Sequence, residues 1–212
     1  KNSKLKLVHI HGNNYTGIDN KNMPRVLELT FLNSNGFNWI SNQKVNKRGI
    51  KYIIRIIYTV ASLRGGAYLS NNKNGVMLFY RMQKHKFSIS QIFNYLYLLF
   101  SIGIINTLNV LKYKFIIESL RPKEGLVGLL LATNQTRNLK SLYYDYKKTT
   151  FQFADEINQP IFIETTSKKA RKLYLLSGFY QYLEIKHPFS DLTVWFLRRD
   201  PSPQNYELNA EP

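Results

Sequence analysis

From Lys47 to Leu63 the apolar positions Ile50, Ile53, Ile54, Ile57, Val60 and Ala61 recur at helical spacing, which predicts a helix with one apolar face. Gly65 and Gly66 end it. The run "RGGAYLSNNKNGVMLFYR" then places two short apolar or alternating stretches around an Asn, Lys and Gly turn, the pattern of a β-hairpin. "SISQIFNYLYLLF" opens with Ser88 and Gln91 at capping-box spacing and predicts another helix. Gly103 breaks it, and a further helix runs from Ile104 to Leu120, stopped by Pro122 after Arg121. The window Ile89 to Leu108 has about the length of a membrane span. Gln91, Asn94, Ser101 and Asn106 interrupt it, so the pair is expected as core or lid helices without stable membrane insertion.

The second half alternates more regularly. "EGLVGLLLAT" is a continuous apolar run suited to a central strand, Leu126 to Ala132. Leu139, Leu142, Tyr143, Tyr146, Phe153, Ala154 and Ile157 form a helical stripe within Asn138 to Asn158. "QPIFIETT" is a second buried strand, "SKKARKLYLLSGFY" carries a short helix, and "FYQYLEIKH" and "LTVWFLRR" alternate as two final strands. Near the N-terminus, Asn20 to Leu32 predicts a first helix with Pro24 in its first turn, followed by a loop holding Phe37 and Trp39. The fold class is therefore α/β, an α+β mixed sheet with helices on both faces. One domain is expected over 1–200, with 88–120 as a helical insertion between the hairpin and the central strand. The proline-bearing stretch 201–212 is expected to be a disordered tail.

Composition narrows the chemistry. A chain of 212 residues can bury a substantial core. There are no cysteines, which excludes thiol nucleophiles, thiolate metal sites and disulfides, and accords with a cytoplasmic location. The start "KNSKLKLVHIHG" lacks the apolar core of a secretory signal and reads as a strand. His9 and His11 share a strand face, but no carboxylate is placed beside them, so no metal site is expected. Thirty basic against 13 acidic residues give a net charge of +17, which favours an anionic partner: nucleic acid, lipid headgroups or a phosphorylated cofactor. Abundant Lys, Asn, Ile and Tyr would also follow from an AT-rich coding sequence, so charge alone does not name the ligand.

"PIFIETTSKKARKLYLLSGFYQYLEI", followed by "DLTVWFLRRDP", resembles the closing strand, helix and strands of the GNAT superfamily of acyl-CoA N-acyltransferases. The matching positions are Ile163 and Glu164, Ser167, Ala170, Leu173 and Tyr174, and Gly178 and Phe179. The hairpin and the helices before it fall in the family's order, so the resemblance spans nearly the whole chain to about Pro201. It implies a mixed, mostly antiparallel sheet and transfer of an acetyl group from acetyl-CoA to an amine, with acetyl-CoA as co-substrate. Ser167, Ala170 and Tyr174 fall on one helical face, where the two small residues leave room for an extended ligand. The resemblance implies that Tyr174 protonates the departing thiolate or donates to its charge, where the bare pattern also allows a core aromatic, and that backbone N–H groups of Leu131, Ala132 and Thr133 polarise the thioester carbonyl. The acceptor amine is not named by any motif. Oligomeric state is equally hidden.

One segment departs from the family pattern. The pyrophosphate loop of such proteins carries glycines at a helix N-terminus. Here "NQTRNLKSL" puts Arg137 in the basic position and Asn138, Lys140 and Leu142 where glycines are expected, so Arg137, Asn138, Leu139, Lys140 and Ser141 are the candidate phosphate contacts. Two outcomes stay open: Asn torsions and the added charge still hold phosphates, or the domain has lost CoA and binds a polyanion such as nucleic acid instead. Glu164 is a candidate base for the amine or a helix-terminus anion, with Glu118, Glu124 and His187 as alternatives. A third reading lays Ile89 to Leu108 on a membrane surface.

Overall fold

Seven strands and five helices are present among the residues that the computed structural model describes, which are 8–9, 47–64, 66–69, 75–82, 89–133 and 139–202. In chain order they are β1 (Val8–His9), α1 (Lys47–Leu63), β2 (Ala67–Leu69), β3 (Gly75–Arg81), α2 (Ile89–Ile102), α3 (Ile104–Leu120), β4 (Leu126–Thr133), α4 (Leu139–Glu156), β5 (Ile161–Thr165), α5 (Lys168–Leu176), β6 (Tyr180–Lys186) and β7 (Thr193–Arg199). The strands form one sheet in the order β1-β2-β3-β4-β5-β7-β6. Every pairing in it is antiparallel except β4 with β5.

Alternation along the strands divides the core in two. Val76, Leu78 and Tyr80 of β3, with Val127 of β4, meet Ile50, Ile54, Tyr58 and Ala61 of α1 on one face. Farther along that face Ile117 of α3 packs on Val194 and Phe196 of β7. The odd-numbered partners, Met77, Phe79, Ile161, Trp195 and Leu197, turn the other way with Leu126 and meet Ala154 of α4 and Phe179. Each such side chain removed from water contributes about 1.5–3 kcal/mol, so both layers are needed to hold the sheet. The ion pair of Arg199 with Asp155, Nη1 to Oδ1 at 2.8 Å and Nη2 to Oδ2 at 2.9 Å, ties the end of α4 to β7. Ser202 donates its N–H to the same carboxylate, which fixes the chain just past the last strand.

The expected helix over Asn20 to Leu32, Phe37, Trp39, the Ser88 cap and the tail beyond Ser202 lie outside the described residues. The helical insertion packs on the body by one side only. α2 turns Leu98 onto Ile53 and Ile56 of α1, but Ile92, Phe93, Leu96, Tyr97 and Phe100 face outward. Its inner side holds buried Gln91 and Asn94, whose Nδ2 donates to the Thr59 hydroxyl at 3.4 Å. No helix among the described residues is long and apolar enough to cross a membrane.

Candidate active site

The parallel ladder between β4 and β5 is short. Leu126 pairs with Ile161, Val127 with Phe162 and Gly128 with Ile163, and there it stops. β4 nevertheless continues beside β3 as far as Thr133 opposite Gly75, and β5 continues beside β7 as far as Thr165 opposite Trp195. The two strands therefore part beyond Gly128 and Ile163, leaving the facing edges of 129–133 and 164–165 outside the ladder.

The cause is visible in the register of the neighbouring pair. Leu78 of β3 lies opposite Leu130, yet Phe79 lies opposite Gly128, so Leu129 is an extra residue in β4. Such a bulge bends the strand and increases its twist, which carries its far half away from β5. Gly128 is the last residue before the bend. A Cβ there would come within 3.1 Å of the Ile163 side chain, so the strands are in close contact just where they diverge.

α5 begins at the open end of β5. Ser167, with extended torsions, caps it by accepting the Ala170 N–H on its hydroxyl at 3.2 Å. Its own N–H bonds the Thr165 hydroxyl at 3.1 Å, so the turn from strand to helix is tied at both ends. The hydroxyl oxygen is thus engaged in capping, and what Ser167 and Ala170 bring to this edge is small size. Arg171, one turn on, donates from Nε to Gln181 at 2.9 Å and covers the Trp195 ring at 5.3 Å. Gln181 and the Trp195 indole N–H both donate to Glu184, at 3.1 and 3.0 Å. That chain of contacts fixes α5 against β6 and β7.

Tyr174 is placed by the end of the same helix. Gly178 takes φ +91°, its N–H bonds the Leu175 carbonyl at 3.2 Å, and the Phe179 N–H bonds the Tyr174 carbonyl at 3.1 Å. These are the two bonds of a Schellman motif, and its accompanying apolar contact is the Tyr174 ring edge-on to Phe179, centroids 5.4 Å apart. The sequence "YLLSGFY" is thus a device that sets the position of one half-buried phenol ring against the core of the α4 face.

Glu164 lies on the opposite face of the sheet. β5 sends Ile161 and Ile163 to the α4 side, and Phe162 and Glu164 to the side of α1 and α3. Both carboxylate oxygens are held by Arg121, which follows α3, with Nε to Oε1 at 2.5 Å and Nη2 to Oε2 at 2.6 Å. The pair is nearly enclosed, with side-chain exposures of 9% and 11%. Burial disfavours the guanidinium charge, but the Glu164 charge and its hydrogen bonds override that and hold Arg121 above its ordinary range. Tyr80 lies 3.5 Å from Arg121. The Tyr113 and Tyr182 hydroxyls beside the pair are pushed up to about 12, first by burial and then by the Glu164 charge. Tyr174 and Glu164 therefore belong to opposite faces of the sheet.

Leu131, Ala132 and Thr133 form the parted half of β4, paired to β3 on their other edge. Leu139, Lys140 and Ser141 form the first turn of α4. Arg137 and Asn138 lie outside the described residues. Of the alternative bases, Glu124 precedes β4 at the end away from the opening, Glu118 is exposed on α3, and His187 is buried under Tyr113 with its Nδ1 accepting the Phe189 N–H at 3.2 Å. Among the described residues there is no group of three His, Asp or Glu side chains suited to a metal ion. Arg121 is the residue that pattern reasoning passed over. The available signal was Glu164 itself, because a carboxylate in a strand that the sequence reads as buried requires a cation, although nothing in the sequence says which one.

No protein-family model matches the chain, and no curated protein matches it in sequence. Solved structures do match in shape. A histone acetyltransferase HPA2-related acetyltransferase from Corynebacterium glutamicum superposes with a TM-score of 0.61 at 16% identity, covering 95% of this chain and 99% of that one. The C-terminal condensation domain of Ebony, in complex with beta-alanyl-dopamine, gives 0.62 at 14%, covering 93% and 99%. Arylalkylamine N-acetyltransferase 2 from Aedes aegypti gives 0.59 at 11%, covering 94% and 100%. With the mixed sheet, these likenesses show that the chain has a GNAT-like fold.

Proposed function

We propose that this protein is an N-acyltransferase that moves an acetyl group from acetyl-CoA to an amine. The observation that carries the reading is the opening between β4 and β5 beyond Gly128 and Ile163, with α5 beginning just past the end of β5. Tyr174, fixed against Phe179 in the core cluster that also holds Ile163, is taken to serve it. An opening between two strands leaves backbone groups on both edges to bond an extended amide chain, and the small Ser167 and Ala170 leave room for it. The parted edge of Leu131–Thr133 would supply N–H groups to the thioester carbonyl, which strengthen as charge moves onto its oxygen. The amine nitrogen would then form a bond to the carbonyl carbon while the carbon–sulfur bond breaks. Tyr174 would give its proton to the departing sulfur, and the amine would lose one proton to water or to a base.

Glu164 is assigned first to holding Arg121, since both its oxygens are engaged there. It could take a proton only by loosening that pair. Tyr174→Phe tests the reading because it keeps the ring against Phe179 and removes only the hydroxyl. Turnover with acetyl-CoA and a panel of arylalkylamines and polyamines should fall about 10²-fold or more, with KM for acetyl-CoA nearly constant. Wild-type protein with no turnover and no thermal shift at saturating acetyl-CoA would overturn the assignment. Salt-sensitive retention on nucleic acid would then favour the polyanion reading, to which the charge of +17 and the glycine-free loop already point.

A further inference from the structure

The insertion of α2 and α3 carries an outward face with the wrong polarity for water. Along α2 the exposed large residues are Ile89, Ile92, Phe93, Leu96, Tyr97 and Phe100, a spacing of three and four that defines one continuous stripe. Along α3 they are Ile104, Ile105, Leu108, Leu111 and Phe115. The stripes meet at an elbow made by Gly103, whose φ is +82° and where an added Cβ would meet nothing within 4 Å, so the outer side of the turn is open. Phe100, Ile104 and Ile105 flank that elbow with 84%, 64% and 72% of their surface exposed, so they project from the body as separate wedges. Isolated exposed apolar residues are ordinary, but eleven on two joined helices are not.

Charge decides what such a ridge would meet. Seven Lys or Arg and a single acidic residue, Glu118, fall between Arg81 and Lys123, and α2 has no charged side chain at all. Arg121 is held by Glu164, but Lys112, one to four positions from Leu108, Leu111 and Phe115 on α3, is exposed with its Nζ 5.9 Å from the Phe189 ring centre, and Lys84 and Lys86 precede α2 in the sequence. A second copy of the chain would bring another +17 toward the same basic surroundings, whereas an anionic bilayer attracts them. Neither helix is long and apolar enough to cross a membrane, so the ridge can lie on the surface and does not span it.

We propose that the α2–α3 elbow docks the protein on an anionic membrane surface, with Phe100, Ile104 and Ile105 entering the headgroup and acyl boundary and lysines at the rim meeting lipid phosphates and carboxylates. The inference does not depend on the acyltransferase reading.

The whole chain should cosediment with vesicles of phosphatidylcholine containing phosphatidylserine, and far less with phosphatidylcholine alone. Phe100→Ser with Ile105→Ser should weaken that binding about tenfold or more while the melting temperature is kept, because both residues are exposed. The chain has no cysteine, so a polarity-sensitive dye on Phe100→Cys reports one site; its emission should shift to the blue on the anionic vesicles, while the same dye on Lys148→Cys of α4 should not respond. Binding unaffected by the double substitution, or absent from both vesicle types, would overturn the proposal. So would a concentration-dependent dimer in sedimentation that the double substitution dissolves without any vesicle binding, since it would assign the ridge to a second copy.

Discussion

At the level of single residues, Glu164 shows how one side chain can have two explanations that the same measurements separate. Removing its charge leaves the Arg121 guanidinium nearly enclosed with no counter-charge, and Glu164→Gln should destabilise the fold by about 3 kcal/mol. Replacing both members, Glu164→Met with Arg121→Met, should restore much of that stability, because neither charge then has to be desolvated. If Glu164 serves as a holder, the double variant regains turnover; if it takes the amine's proton, turnover stays low although the stability returns. His187 gives a pH dependence of its own. Burial lowers its imidazole to about 4, against an ordinary value near 6.5, so the unfolded chain binds a proton across that window and the native one does not. Stability is then complete above about pH 6.5 and falls as the pH drops toward 4, by roughly 1–2 kcal/mol once solvent screening is allowed for. His187→Asn, which keeps an acceptor for the Phe189 N–H, should flatten that part of the curve in urea titrations from about pH 4.5 to about 7, where the two states differ in protonation. An unchanged slope would assign the acid sensitivity to other groups. Neither the Arg121 pairing nor the burial of His187 was legible in the sequence, because each depends on residues dozens of positions away.

Elements were far more legible than their pairing. The stripe in Lys47 to Leu63, the breaks at Gly103 and Pro122, and the apolar runs of β4 and β5 each mark a local period, and the structure follows them. What no period records is register. The extra residue at Leu129 and the three-residue ladder between β4 and β5 decide where the sheet opens, and "LVGLLLAT" reads the same with or without them. The inverted polarity of α2 escaped for a related reason: a helix apolar on most sides does not say which side is outward. The end of α5 is the opposite case, since Ser177, Gly178 and Phe179 spell out a helix stop that fixes Tyr174. A Cβ at Gly178 would meet nothing within 4 Å, so Gly178→Ala suffers only from its positive φ and should cost about 1 kcal/mol. Turnover should fall by more than that loss of stability explains, because the Tyr174 ring shifts with the cap. Gly178→Asn, which tolerates left-handed torsions, should recover most of both in parallel melting and kinetic assays. Equal turnover in Gly178→Ala and wild type would separate the cap from catalysis.

On the scale of the molecule, the sheet is two blocks joined by a narrow seam. β1 to β4 with α1 form one and β5 to β7 with α5 form the other; three β4–β5 pairs, the Arg121–Glu164 pair, the α4 layer packed on Met77, Phe79, Ile161 and Trp195, and the α2–α3 layer packed on α1 and on Val194 and Phe196 hold them together. A ligand seated in the opening would bond both parted edges and so couple the blocks. Binding at a hundred times its dissociation constant adds about 2.7 kcal/mol to the stability of the native state, which for a chain of this size raises the melting temperature by about 5–10 °C. Where the protection appears is the sharper test. Hydrogen exchange with acetyl-CoA present should slow at Leu129–Thr133 and at Glu164–Thr165, the edges outside the ladder, while amides of β6 and β7 change little. The same melting shift with protection confined to α5 and α4 would mean that the phosphates bind and the thioester does not reach the opening. In that event the parted strands would remain a feature of the fold without a role in transfer, and Tyr174 would be left as a ring that closes a helix.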